Sequence, residues 1–315
     1  MDVTSYRDAR VVVTGGAGFL GSHLAERLVA LGAEVVVVDD LSTGALANLA
    51  AVRDRLRFVR ADIATWSPSD GPVDVVFNLA CPASPVHYRR LDLETLRAGS
   101  LGADRMLHLA VECGATFVQA STSEVYGDPE VHPQPESYWG RVNPVGPRSM
   151  YDESKRFTEA LCAAWARRGA KVRVARIFNT YGPRLQRGDG RVVPTLVGQA
   201  LAGEDLTVHG DGTQTRSFGY VSDLVEGLLR LGASEVQGAV NLGSPRETSI
   251  AQLARQILVL TRSTSRLAFQ PRPADDPGRR CPDITRARRL LGWQPLVSLR
   301  EGLASTIAAV REGAG

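Results

Sequence analysis

Lysine is nearly missing from this chain, which has 35 arginines but only 2 lysines among 315 residues. Arginine is a rigid fork with a pKa too high to tune, so a lysine retained here marks a position where a compact, tunable ammonium is needed. Aromatic residues are also sparse, at 6%. The four cysteines, Cys81, Cys113, Cys162 and Cys281, are widely spaced and form no C-x-x-C. That excludes a disulfide framework and fits isolated thiols in a reducing compartment. The five histidines, His23, His87, His108, His132 and His209, show no metal-ligand spacing, so no metal is expected. No segment reaches membrane-spanning length, and Met1 to Arg10 lacks an apolar stretch, so a soluble cytoplasmic protein with no membrane partner is expected. Neither charge sign is in large excess. The net charge of +3 is too weak to argue for nucleic acid, but it suits a small anionic substrate.

The chain is long enough for one large domain plus a lobe, and its 43% hydrophobic content is ordinary. Apolar runs at Arg10–Thr14 and Glu34–Asp39 predict buried strands, with further strands at Arg57–Arg60, Val73–Leu79, Ala115–Ala120 and Lys171–Ile177. Helical spacing falls between them at Leu20–Leu31, Leu93–Cys113 and Ser149–Arg168. Strands alternating with helices imply an α/β protein with a doubly wound parallel sheet. After Asn179 the pieces shorten. Strands at Leu206–His209 and Ala239–Leu242, with helices at Val192–Ala202, Val221–Leu231, Ile250–Leu260 and Leu299–Val310, predict a smaller mixed lobe. The expected division is residues 1–177 for the first domain and 178–315 mainly for the lobe, with some segments returning. The Arg-dense stretch 279–289 is read at Arg286, Arg288 and Arg289 as a solvated helix face.

Gly15 to Gly21 reads G-G-A-G-F-L-G, directly after a strand and opening a helix. Such glycines allow close approach of a pyrophosphate to a helix N-terminus. Asp39 ends the next strand, where a carboxylate binds ribose hydroxyls and repels a 2′-phosphate, so NAD is expected over NADP. Asp62 and Ile63 follow the third strand and are expected near the adenine. The NAD set is expected to be Gly15, Gly18, Phe19, Leu20, Asp39, Thr43, Gly44, Asp62, Ile63 and Leu79, with Tyr151 and Lys155. One of the two lysines, Lys155, lies four residues after Tyr151 in Y-D-E-S-K, on the same helix face. There its ammonium is expected to lower the Tyr151 pKa toward a usable general base. Thr122 and Glu124, in S-T-S-E after a strand, place a hydroxyl and a carboxylate at the same sheet edge.

Longer runs carry a resemblance. They include T-G-G-A-G-F-L-G-S-H-L at 14–24, C-P-A-S-P at 81–85, S-T-S-E-V-Y-G-D-P-E-V-H-P-Q at 121–134 and Y-W-G-R-V-N-P-V-G-P-R at 138–148. Y-D-E-S-K-R at 151–156, R-I-F-N-T-Y-G-P-R at 176–184, L-T-V-H-G-D-G-T-Q-T-R-S-F at 206–218 and D-D-P-G-R-R-C-P-D-I at 275–284 continue it. The chain resembles an extended short-chain dehydrogenase/reductase and, more closely, the UDP-glucuronate decarboxylases (UDP-xylose synthases). The likeness implies a Rossmann-type domain and a homodimer, with UDP-glucuronate and UDP-xylose as substrate and product. Thr122, Tyr151 and Lys155 match the set that moves the proton of the sugar 4-OH. Ser123 and Glu124 match the pair near the substrate carboxylate, and Arg280 matches an arginine that contacts it or assists protonation. Tyr88 matches a sugar-pocket tyrosine. Asn179, Arg191 and Arg216 match positions handling the UDP, and His209 falls where the family has an aromatic near uracil.

The implied chemistry is oxidation at C4, loss of CO₂ from the resulting β-keto acid, protonation at C5, and return of the hydride. A UDP-glucuronate 4-epimerase or a sugar-nucleotide 4,6-dehydratase is the alternative, since both share the glycine loop and YxxxK. A non-catalytic NAD-binding protein fits the intact Tyr–Lys pair poorly. Two departures stand out: Gly99 replaces a family Asn associated with a local helix distortion, and Leu91-Asp92 replaces Asn-Pro.

Overall fold

The computed structural model describes residues 3–67, 71–186, 188–272 and 277–313. Asp275 and Asp276, at the head of the last resemblance run, lie outside them, as do Met1 and Asp2. The strands are β1 (Arg10–Thr14), β2 (Glu34–Asp39), β3 (Arg57–Arg60), β4 (Val75–Asn78), β5 (Thr116–Thr122), β6 (Val172–Ile177), β7 (Thr180–Tyr181), β8 (Leu206–His209), β9 (Thr215–Ser217), β10 (Gly219–Tyr220), β11 (Ala239–Leu242), β12 (Glu247–Ser249), β13 (Leu267–Gln270) and β14 (Arg279–Arg280). The α-helices are α1 (Phe19–Ala30), α2 (Pro85–Arg90), α3 (Asp92–Arg97), α4 (Ala103–Glu112), α5 (Ser149–Ala166), α6 (Val192–Ala202), α7 (Val221–Gly232), α8 (Ile250–Thr261), α9 (Thr285–Leu291) and α10 (Leu299–Arg311).

Seven strands form one parallel sheet in the order β11-β6-β5-β4-β1-β2-β3. The valine runs explain its centre. Successive side chains of a strand point to opposite faces, and β-branched residues suit a pleated surface. Val11, Val13, Val35 and Val37 accordingly enter one core with α1, α7 and α9, whereas Val12, Val36 and Val38 enter another with α4 and α5. Strand order reverses between β1 and β4, where such sheets open a crevice beyond their carboxyl ends. A third core of α6, α8, α10, β8 and β13 forms the lobe over that edge.

Three features differ from the sequence reading. First, Ala239–Leu242 and the helix before it belong to the large sheet. β11 pairs with β6, and α7 packs in the core of α1. A short run with three consecutive buried residues marks such a strand, but nothing local says which sheet it joins. Second, the helix predicted over Leu93–Cys113 is interrupted by a π turn at Ala98–Gly102. The distortion is thus present with glycine at position 99. A Cβ on Gly99 would lie 2.7 Å from Ser154 Cβ and 2.9 Å from the Ser154 carbonyl oxygen, and the Gly99 carbonyl accepts from Thr158 Oγ1. Glycine here lets α5, which carries Tyr151 and Lys155, approach its neighbour closely. Third, β9, β12 and β14 form a three-stranded sheet of two- and three-residue strands too short to read from the sequence.

Restoring the family residue by Gly99→Asn is expected to destabilise the protein by roughly 1–3 kcal/mol through overpacking. Denaturant unfolding checks this, and an unchanged midpoint would show that α5 yields without strain.

Candidate active site

A cavity of about 1060 Å³ runs from the α1 N-terminus across the sheet edge into the lobe. At one end, α1 starts at Phe19 with Gly18 as its cap and no capping side chain. Its first amides therefore offer donors and a positive dipole end to an anion. Gly21 keeps that cradle open, since a Cβ there would lie 2.2 Å from the Gly15 carbonyl oxygen. Asp39 ends β2 beside it, where Oδ2 accepts from the Ala17 amide at 3.0 Å and Oδ1 from the Leu41 amide at 2.8 Å. Burial raises the Asp39 carboxyl, and these two amides oppose the rise by binding the ionised form. The arrangement fits the pyrophosphate and ribose of NAD.

A strap from the lobe crosses this end of the cavity. Arg184 donates to Glu26 Oε1 at 2.5 Å and to Ser22 Oγ at 3.2 Å. Gln186 Nε2 donates to the Thr43 carbonyl at 2.7 Å, and His23 Nε2 lies 3.1 Å from the Pro183 carbonyl.

The centre of the cavity is built on the end of β5. Thr122 caps the following 3₁₀ turn by accepting from the Glu124 amide at 3.2 Å, and its side chain is hydrogen-bonded to Tyr151. Gly127 ends the turn at φ 63°, where a Cβ would lie 1.8 Å from the Arg141 carbonyl oxygen. Lys155 sits one helical turn after Tyr151. Its Nζ lies 5.7 Å from the Tyr151 ring centroid and donates to the Ala120 carbonyl at 2.9 Å. The Tyr88 ring stacks on Tyr151 at 5.3 Å and 13°.

The expected lowering of the Tyr151 pKa is corrected here. Burial pushes the phenol well above its usual range, Cys81 adds to the rise, and the Thr122 hydrogen bond opposes it. Desolvation penalises the phenolate strongly, and Lys155 directs its proton donor at a backbone carbonyl.

Next to this pair, Glu124 is gripped by two arginines. Arg280 pairs with both carboxylate oxygens, with Nη2 at 2.9 Å from Oε2, and Arg148 Nη2 lies 2.7 Å from Oε2. Burial alone would raise the Glu124 pKa, but Arg280, Arg148 and Arg216 outweigh it and hold the carboxyl at about 2. The stabilisation from this ionised group is fully present above the ordinary value of 4.5 and is lost as the pH falls toward 2. Register explains how the arginines arrive together: β14 pairs with β9 in parallel, setting Arg280 opposite Arg216.

Of the residues expected from the sequence, Gly15, Gly18, Phe19, Leu20, Asp39, Thr43, Asp62, Ile63 and Leu79 line the cofactor end. Tyr88, Thr122, Ser123, Glu124, Tyr151, Lys155 and Arg280 line the centre, and Asn179, Arg191, His209 and Arg216 the lobe end. Gly44 does not line the cavity. A Cβ there would lie 3.0 Å from both Asp39 oxygens, so it allows close packing on that carboxylate. Asp62 Oδ1 accepts from its own loop, at the Ala64 amide. His209 is exposed, with Nδ1 3.2 Å from the Pro271 carbonyl.

Arg148 was missed, though its place three residues before Tyr151 at a helix start was a usable signal. The strap was missed because its partners are more than a hundred residues away. Sequence spacing also hid a meeting of His132, Glu247 and Cys281, whose ligand-type atoms lie within 4.8 Å of one another. Glu247 there already accepts from Thr215, contacts His132 at 2.9 Å and pairs with Arg279, an arrangement that ties β12 to β14.

Fold and site together define a short-chain dehydrogenase/reductase type of enzyme, with a Tyr–Lys pair at the mouth of a dinucleotide groove. The family described as "NAD dependent epimerase/dehydratase family" matches residues 11–243, and the chain belongs to it. UDP-glucuronic acid decarboxylase 1 of Xenopus tropicalis is 51% identical over 304 residues, covering 96% of this chain and 72% of that protein. The UDP-glucose 4-epimerase of Thermotoga maritima, solved with UDP-glucose, superposes with a TM-score of 0.89 at 30% identity over 97% of this chain and 100% of that one. The UDP-glucuronic acid 4-epimerase of Bacillus cereus, solved with UDP-glucuronic acid and NAD, gives a TM-score of 0.85 at 27% identity over 96% of this chain and 99% of that one.

Asp39→Asn removes the charge that favours NAD. A hydrogen bond to a charged group is worth about 1.5–3 kcal/mol, so the Kd for NAD is expected to rise roughly 10–100-fold. NADP is expected to gain relative to NAD. Titration with both dinucleotides checks this, and unchanged discrimination would remove Asp39 from the site.

Proposed function

We propose that the chain decarboxylates UDP-glucuronate to UDP-xylose. The observation that carries this reading is the Arg280–Glu124–Arg148 cluster beside Tyr151, a cationic seat for a carboxylate next to the position where a sugar hydroxyl would be oxidised. The 51% identity to a UDP-glucuronic acid decarboxylase supports it. In this reading residues 1–177 hold the cofactor, and the lobe within 178–315 supplies most nucleotide contacts.

Tyr151 takes the proton of the sugar 4-OH, with Thr122 on its hydroxyl and the Lys155 ammonium fixed at its ring. When bound, NAD⁺ supplies a hydride acceptor and donor for C4 and a positive charge that favours the Tyr151 phenolate. Once C4 is a ketone, the C6 carboxylate is β to it. The C5–C6 bond can then break with its electrons entering an enolate. Arg280 and Arg148 orient the carboxylate, and Ser123 supplies a further donor. The enolate takes a proton at C5, and the 4-keto pentose is reduced to UDP-xylose. Asn179, Arg191 and Arg216 hold the UDP, Tyr88 packs on the sugar, and His209 lies toward the base.

A homodimer is part of the proposal. Leu93, Leu101 and Phe157 expose apolar side chains on α3, the π turn and α5, which pack side by side. Phe157→Arg is expected to yield monomers in sedimentation; an unchanged species would move the interface elsewhere. No helix among the described residues is long and apolar enough to cross a membrane. The cytoplasm is the proposed location, in keeping with four free thiols.

Purified protein with UDP-glucuronate tests the activity, read by nucleotide-sugar mass and NADH absorbance. The expected outcome is loss of one CO₂ to a UDP-pentose without lasting NADH. Unchanged mass with a new NMR pattern would indicate 4-epimerisation instead. Tyr151→Phe is expected to lower kcat about 10²–10⁴-fold, the usual span for general acid–base groups.

A further inference from the structure

Asp152 directly follows Tyr151 in α5, and no step above uses it. It is only 6% exposed, and its Oδ1 has no hydrogen-bond partner. It does not line the cavity, yet it lies one helical turn after Arg148, and its amide donates to the Arg148 carbonyl at 3.1 Å. The charges that bear on it come from Glu124 at the end of β5, Arg148 before α5, Arg280 on β14 and Glu153 on its own helix. On α2 the buried Tyr88 hydroxyl, also without a hydrogen-bond partner, feels the Asp152 charge together with that of Arg89.

Two buried carboxyls thus share one cluster under opposite influences. The arginines keep Glu124 ionised, whereas burial first and Glu124 second push Asp152 up to about 7. Paired titratable groups driven apart in this way divide the acid and base roles of a site. Charge balance gives the consequence. Arg148 and Arg280 contribute two positive charges and Glu124 one negative, while Arg216, whose charge also bears on Glu124, is left to the UDP pyrophosphate. With Asp152 protonated the cluster is net positive and accepts the substrate carboxylate to become neutral. With Asp152 ionised it is already neutral, and the same carboxylate would leave it negative.

We propose that Asp152 is a positioning residue that takes up a proton as the substrate carboxylate enters the Arg148–Arg280 seat and gives it up after that carboxylate has left as CO₂. The inference rests on the decarboxylase reading. The proton balance of that reaction closes with it. Breaking the C5–C6 bond releases neutral CO₂ and leaves the electron pair in the enolate. The enolate consumes one proton in forming the C5–H bond. With the carboxylate gone, Asp152 returns to its lower affinity for protons and releases its proton to solvent, which supplies the C5 proton, so one proton per turnover passes from solvent into the C5–H bond. Uptake on binding is therefore matched by that release, and no net charge accumulates in the buried cluster.

The test uses NAD-loaded Tyr151→Phe protein, which is expected to bind UDP-glucuronate without oxidising it. Binding is followed by calorimetry at pH 8 in buffers of different ionisation enthalpy, which counts protons. The expected uptake is about one proton per site for UDP-glucuronate, by linkage, and none for UDP-xylose, which lacks the carboxylate. Adding Asp152→Asn should abolish the uptake while binding persists, and Asp152→Glu should restore it. In the active enzyme, KM for UDP-glucuronate should climb above about pH 7, and Asp152→Asn should flatten that rise. Equal uptake with and without Asp152, or equal uptake for both ligands, would overturn the proposal. Binding of UDP-xylose but not UDP-glucuronate would overturn the decarboxylase reading itself, and this inference with it.

Discussion

A buried carboxylate between two guanidinium groups is the constraint on which the rest of this structure hangs. Glu124, Arg148 and Arg280 come from the end of a sheet strand, the start of a helix and a short strand of the lobe, and Glu124 and Arg280 are 156 residues apart. None of these charges can be left alone in a low-dielectric site. Removing one partner of a buried pair typically costs about 3–5 kcal/mol, because the other charge stays behind. The lobe therefore cannot settle independently of the sheet, and the register of β14 against β9 delivers Arg280 and Arg216 side by side. The same three residues leave one net positive charge, so the electrostatic knot joining the two parts is also the seat proposed for the substrate carboxylate.

Tyr151 shows how far burial governs such a site. Its ring is stacked on Tyr88 and enclosed, and desolvation dominates the nearby dipoles and charges. In the chain by itself it is a firmly protonated phenol. In the proposed reaction its basicity would depend on positive charge brought by what the cavity holds, which would confine proton removal to the assembled complex. Lys155 fits this arrangement by fixing the end of β5 through the Ala120 carbonyl while its ammonium stays near the ring.

What could be read from the sequence was what is local. Gly15 to Gly21, Asp39 and the Tyr151–Lys155 pair each lie within one strand–turn–helix segment, where spacing alone fixes relative position. The valine runs gave the central strands with almost unchanged bounds for the same reason. What could not be read depends on partners distant in the chain. Nothing near Arg184 points to Glu26, and nothing near Asp152 names Arg280. The π turn was hinted at only through the family residue at position 99, since the neighbour that Gly99 lets in, Ser154, comes from another helix. The strand Ala239–Leu242 was legible as a strand but not as an edge of the large sheet.

The scarcity of lysine has a practical corollary. Lys155 is only 5% exposed and engaged with the Ala120 carbonyl. Lys171 is exposed at the amino end of β6, with Nζ held lightly at the Gly114 carbonyl. The cavity lies at the other end of that strand, about 20 Å away for six residues of extended chain. Amine-directed attachment therefore finds a single side-chain handle. A surface or label coupled through it would sit at the opposite end of β6 from the cavity.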